Sequence, residues 1–277
     1  MTVELSIAEH LMYSTVRIET YTASGNSTGT GFFYRMLKNG NAYVPVIVTN
    51  KHVVEGGEIG RMVFNIKENG KRVNNGSFAI EIPQFRKQWI DHPDPDVDLC
   101  VMPIAGIMED VKRNHGVDLY FVTLDENIVP NETQIKGLDA IEEIVMVGYP
   151  NGLWDRVNNH PIIRRGITAT HPAFDYNGQA QFLIDAAVFP GSSGSPVLIY
   201  NIGTYVGRDG EARLGNRVHL LGIIYAVHQY TAKGEIQVIE VPTKQQEIVN
   251  SNLPNNLGLV ISAQKLRDFD DILRKFM

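Results

Sequence analysis

The sequence predicts an all-β protein made of two small antiparallel β-barrels packed together, closed by one C-terminal α-helix. Three observations predict it. Short β-branched and aromatic runs recur along the 277 residues, separated by clusters of Gly, Asn, Asp and Pro. The runs fall into two sets of similar size on either side of a polar stretch. Apolar residues at helical spacing are clearest at the very end of the chain.

The first set is STVRIETYT (14–22), GTGFFYRML (29–37), AYVPVIVTN (42–50), RMVFNIK (61–67) and DLCVMPI (98–104). It defines an N-terminal barrel over about 14–110, followed by a polar connector over about 111–140. The second set is EIVMVGY (143–149), PIIRRGITA (161–169), AQFLIDAAV (180–188), SPVLIY (195–200), VHLLGIIYAV (218–227), GEIQVIEV (234–241) and NLGLVISA (256–263). It defines a C-terminal barrel over about 141–263. In 264–277, Leu266, Phe269, Leu273 and Phe276 share one helical face, with Ser262 as a candidate N-cap. A shorter helix is expected near residues 5–12. The whole of 1–277 is read as a single domain, with two uninterpreted polar segments at 201–216 and 228–257.

Composition narrows the function. Hydrophobic residues make up 43% and charged residues 20%, as in ordinary globular chains, and the net charge of −6 offers no basic stripe to nucleic acid. The single cysteine, Cys100, excludes an intramolecular disulfide and favours a reducing compartment. The opening MTVELSIAEHLMYS has two acids and no basic region, so no signal peptide is expected. No apolar run approaches 18 residues, so no membrane partner is expected and the expected location is cytoplasmic. Neither HExxH, paired CxxC nor GxxxxGK[ST] occurs, so no metal or other cofactor is expected.

Three motifs carry chemistry. TNKHVV (49–54) places His52 where an apolar strand gives way to a turn. HPDPDVDLCVMP (92–103) places Asp98 directly before an apolar run, whereas Asp94 and Asp96 lie among prolines. Taken singly, His52 reads as a structural histidine and Asp98 as an acid capping a strand, and the aspartates together also suit a weak cation site. In FPGSSGSPV (189–197) the pattern Gly-x-Ser-Gly-x-Pro fits one frame, Gly191 to Pro196, which selects Ser193 among three serines. Chance produces such a match in roughly one chain of this length in two hundred.

Together and in this order, TNKHVV, DVDLCV and PGSSGSPV resemble the chymotrypsin-like serine proteases, the Deg/HtrA branch most closely. The separations are 46 residues (98 − 52) and 95 (193 − 98), against roughly 45 and 93 in the chymotrypsin template. STVRI, GTGFF, GYPNG, RRGITA, FLIDAA, LLGIIYA and LGLVISA extend the resemblance over about residues 10–265. It implies two six-stranded antiparallel β-barrels and a serine endopeptidase acting on protein or peptide substrates. It also implies Ser193 as nucleophile, His52 as general base, Asp98 as its orienting acid, and the N–H groups of Gly191 and Ser193 as the oxyanion hole. Ala187, Tyr225, Ala226 and Val227 then wall the substrate pocket, which is apolar and shallow and favours small or medium aliphatic residues before the scissile bond. Because the base must be neutral, activity is expected to fall in mildly acid solution.

Two departures matter. Ser192 stands where digestive members carry the aspartate that pairs with a new N-terminus, so zymogen cleavage is not expected to activate this chain. Deg-type proteases usually continue into peptide-binding PDZ domains; here one helix follows the second strand set, so an activating partner, if needed, is expected to be a separate protein. The rival expectation is a silent or partner-activated pseudoprotease, a binding module with the same fold.

Overall fold

The computed structural model describes residues 4–235 and 248–276. The expected strand at 234–241 lies largely outside them. Strands dominate. The N-terminal lobe contains β1 (Thr15–Thr22), β2 (Gly25–Asn39), β3 (Ala42–Thr49), β4 (Ile59–Glu68), β5 (Lys71–Pro83), β6 (Ile90–Asp91), β7 (Cys100–Pro103) and β8 (Asp118–Tyr120). The C-terminal lobe contains β9 (Glu143–Gly148), β10 (Ile162–Thr168), β11 (Gln181–Asp185), β12 (Pro196–Asn201), the small hairpin β13 (Thr204–Val206) and β14 (Ala212–Leu214), β15 (Arg217–Glu235) and β16 (Ile248–Ser262).

The two lobes close differently. In the C-terminal lobe β10, β11, β16, β15, β12 and β9 form a closed barrel of antiparallel pairs, as expected. The N-terminal lobe is instead an open eight-stranded sheet in the order β5-β4-β1-β2-β3-β7-β6, with β8 added beside β4. This corrects the expectation of a second six-stranded barrel. Between the edge strands β5 and β6 the chain makes a 3₁₀ turn, Phe85–Gln88, rather than a paired strand. Its N–H groups at Phe85 and Arg86 donate to the carbonyls of Glu58 and Gly57. The Phe85 ring lies over Gly60, where an added Cβ would sit 2.2 Å from it. Phe85 and Trp89 thus fill the lobe's interior from a turn.

Alternation along the central strands divides the core into three. Side chains point to opposite faces of a strand with period two. In β2, Phe33 enters the N-terminal interior while Phe32, Tyr34 and Met36 face the other lobe. In β3, Ile47 enters the interior and Val46 and Val48 face out; in β7, Cys100 and Met102 go in and Val101 goes out. From the barrel, Val147, Leu198, Leu220 and Ile223 meet those outward residues, while Ile144, Met146, Val197, Ile199 and Leu221 fill its interior. Strands buried on both faces read as the continuous apolar runs seen in the sequence. Cys100 is fully buried in the first of these cores, and burial pushes its thiol well above the ordinary range.

Helices are few and short: α1 (Ile7–Met12), α2 (Lys51–Val54), α3 (Ala105–His115), α4 (Glu132–Lys136) and α5 (Asp270–Leu273). The first, expected near 5–12, starts at a capping box between Ser6 and Glu9. The polar connector expected over about 111–140 holds the end of α3 and all of α4. The C-terminal segment is not the α-helix expected over 264–277. Residues Ala263–Phe269 are 3₁₀, only Asp270–Leu273 is α-helical, and Ser262 makes no cap bond. Leu266, Phe269 and Leu273 are nevertheless buried, as their spacing requires; the Phe276 side chain lies outside those described. Among the described residues no helix is long and apolar enough to cross a membrane.

Candidate active site

The β3–β7 pairing builds the first half of the site. Thr49 lies opposite Cys100, so the residues just beyond β3 meet those just before β7. Asn50 follows β3 at the N-cap position of α2, and its side-chain amide donates to the Asp98 carbonyl at 2.7 Å. Val53 and Val54 of α2 are buried in the N-terminal core, with Val53 seated on Gly29, and this leaves His52 exposed on the other side. Asp98 then holds His52 twice. Its Oδ1 accepts the His52 backbone N–H at 3.2 Å, and its Oδ2 lies 2.5 Å from Nδ1. A carboxylate at Nδ1 favours the tautomer with the proton there, so Nε2 carries the free lone pair.

Asp94 and Asp96 take no part in this pair. Asp94 Oδ1 accepts the N–H of Asp96, and the Lys51 ammonium donates to the carbonyls of Asp94 and Pro95. These are turn-closing contacts.

The second half is the turn between β11 and β12. Gly191 and Gly194 both have positive φ, +88° and +86°, in the region that favours glycine. Crowding adds to the requirement: a Cβ on Gly191 would lie 2.5 Å from the Tyr149 carbonyl, and one on Gly194 only 1.9 Å from that of Thr30. The three serines differ in environment. Ser192 is fully buried, its N–H donating to the Phe189 carbonyl and its Oγ accepting the Phe189 N–H. Ser195 is fully buried with its Oγ unpaired against Gly148. Ser193 alone is partly exposed.

Most polar main-chain groups of the turn are spent. Ser192 N–H goes to Phe189, Gly194 N–H to Ile224, and Ser195 N–H to Ser192. The N–H groups of Gly191 and Ser193 have no partner among the described residues. Ser193 Oγ makes no hydrogen bond to His52 in this structure, and such bonds commonly tighten only around a bound substrate.

The pocket candidates lie beside this turn. Ile224 is tied to it in both directions, accepting from Gly194 at 2.8 Å and donating to Ser195 at 3.1 Å, which sets Tyr225, Ala226 and Val227 alongside. All three are half-buried on β15. The Tyr225 hydroxyl donates to Gln181 Oε1, and burial, reinforced by the Asp98 charge, raises its pKa. Ala187 is half-buried, and its carbonyl accepts from Arg164, whose guanidinium also lies 4.7 Å from the centre of the Phe189 ring. Sequence reasoning passed over Arg164, Gln181 and Thr30. The period-two alternation of β10 was the signal available for Arg164, which faces inward between the exposed Ile163 and Arg165.

Residues 29–207 match the family described as the trypsin-like peptidase domain. No protein of curated function matches the chain. Among solved structures, the chain is similar to the Rv3671c protease of M. tuberculosis in its active form, with 13% identity over 92% of this chain and 78% of that one, at a TM-score of 0.43. It is also similar to the serine endoprotease from Yersinia pestis, with 16% identity over 99% of this chain and 68% of that one, at a TM-score of 0.46.

Proposed function

Since the chain belongs to the trypsin-like peptidase domain family, and so to a family with protein substrates, we propose that it is a serine endopeptidase working through an acyl-enzyme on Ser193, its residues 1–277 forming one peptidase domain. The observation that carries this reading is the His52–Asp98 pair, 2.5 Å from Nδ1 to Oδ2, in a fold that also holds a half-buried serine in a turn with two unclaimed N–H groups. Ser193 Oγ attacks the peptide carbonyl while His52 Nε2 takes its proton. The oxyanion accepts from the N–H groups of Gly191 and Ser193, donors already fixed before charge develops. His52 then protonates the leaving amine, and water, deprotonated by the same nitrogen, releases the acyl group. Asp98 keeps the imidazole in its working tautomer and stabilises the imidazolium.

The methyl of Ala187 and the side chain of Val227 support a short apolar pocket that favours Ala, Val, Ile or Leu before the scissile bond. Such a pocket discriminates by about 1–3 kcal/mol per methylene. The lone, buried thiol of Cys100 fits a cytoplasmic location.

Labelling with a fluorophosphonate probe tests the reading, with the adduct mapped by peptide mass. The expected result is modification at Ser193, abolished in Ser193→Ala and His52→Ala, with peptide turnover reduced by up to about 10⁶ in kcat. Modification that persists in Ser193→Ala would sink it. A wild type that neither labels nor cleaves, alone or with candidate activators, would leave the binding-module alternative standing.

A further inference from the structure

We propose that Thr30, from the N-terminal lobe, is a positioning residue that holds the Ser193 turn in its donor-presenting form; the inference rests on the serine endopeptidase reading. Thr30 lies on β2 and is fully buried. Every polar group it has is engaged at the junction with the turn. Its N–H donates to the Ser193 carbonyl at 2.8 Å. Its hydroxyl donates to the Gly191 carbonyl at 2.9 Å and accepts the Tyr149 N–H at 3.1 Å. Its own carbonyl accepts the Thr49 hydroxyl at 2.7 Å.

The effect on the turn follows from peptide geometry. In a planar trans peptide the carbonyl and the N–H point in opposite directions, so fixing one fixes the other. The Pro190 carbonyl accepts the Asn151 N–H at 2.5 Å, which sets the Gly191 N–H pointing away. The Ser192 carbonyl accepts from Ser195, which does the same for the Ser193 N–H. Thr30 holds the next peptide on the far side of each donor, through the carbonyls of Gly191 and Ser193. With the carbonyls of residues 190 to 193 all tied, rotating either donor plane breaks a hydrogen bond. Glycines allow the approach: a Cβ on Gly148 would lie 2.7 Å from Thr30 Oγ1, and one on Gly194 would overlap the Thr30 carbonyl.

Valine has threonine's shape without its hydroxyl. Thr30→Val leaves the Gly191 carbonyl and the Tyr149 N–H unpaired in a buried place, and Thr30→Ser restores both bonds. The test compares wild type, Thr30→Val, Thr30→Ala, Thr30→Ser and Ser193→Ala on a peptide substrate, alongside a peptide trifluoromethyl ketone whose adduct oxygen needs both donors. Expected for Val and Ala is a fall in kcat of about 10²-fold, a KM within about twofold and a matching loss of affinity for the ketone, while Ser stays near wild type. Equal kcat in all Thr30 variants, or a loss that Ser does not rescue, overturns the inference while Ser193-dependent turnover keeps the peptidase reading intact. A wild type no more active than Ser193→Ala removes that reading and this inference together.

Discussion

Three aspartates stand at 94, 96 and 98, and one of them faces the histidine. Asp94 caps its own turn, while Asp98 stands two residues before the strand that pairs with β3 and reaches His52 through two contacts. Asp98→Asn keeps the shape but favours the wrong imidazole tautomer. We expect kcat to fall by about 10⁴-fold, with thermal stability near wild type; steady-state kinetics beside a melting curve checks both. A loss below tenfold would remove Asp98 from the mechanism. His52 and Asp98 stand out in the sequence because each adjoins an apolar run, Ser193 because one motif frame selects it, and the order and spacing of the three resemble a known pattern. Thr30 is not legible. It reaches a carbonyl 161 residues away and an N–H 119 residues away, and main-chain partners leave no mark in residue type.

At the scale of elements, apolar patterning found the strands with a buried face and missed those without one. In β5 the one fully buried residue is Ile82, so its polar, Asn-rich stretch reads as turn. Helix α3 has a single fully buried residue, Val111, and reads as connector. The C-terminal segment shows the converse: spacing of three and four correctly marked Leu266, Phe269 and Leu273 as buried, although most of the segment is 3₁₀. Residues three apart share a face in both helix types, so that pattern fixes burial and leaves the winding open. Phe269 is fully buried, edge-on to the His92 ring at 5.1 Å between centroids. Phe269→Ala is therefore expected to cost about 3–5 kcal/mol, read from urea unfolding. A cost below 1 kcal/mol would show that Phe269 does little to hold the core it is buried in.

The whole molecule depends on two lobes meeting along β2, β3 and β7, with the candidate catalytic groups divided between them. Two strand sets were readable from the pattern of apolar runs; the open form of the first was not, because between β5 and β6 the chain makes a 3₁₀ turn, with Phe85 and Trp89 packed inside, rather than a paired strand. Acid tests the assembled whole. Burial lowers the pKa of His219, assisted by Arg217, and burial also lowers that of His160, whose Nε2 lies 3.0 Å from the Tyr13 hydroxyl. Each group binds its proton more readily once unfolded. Their contribution is thus complete above the ordinary imidazole value and is lost as pH falls through the lowered folded one. The urea midpoint is expected to drop as pH falls from 7 towards 5, and less steeply in His160→Gln/His219→Gln. Parallel slopes for the two proteins would exclude both histidines as the cause.

Cys100 gives the molecule a built-in clock. Its one thiol sits two residues from Asp98, opposite Thr49 in the pairing that sets His52 against its acid, and is sealed in the N-terminal core. A small alkylating reagent can reach it only when the core around it opens. The alkylation rate, divided by that of a free thiol under the same conditions, therefore counts how often the core behind the histidine–aspartate pair comes apart, with no substrate required.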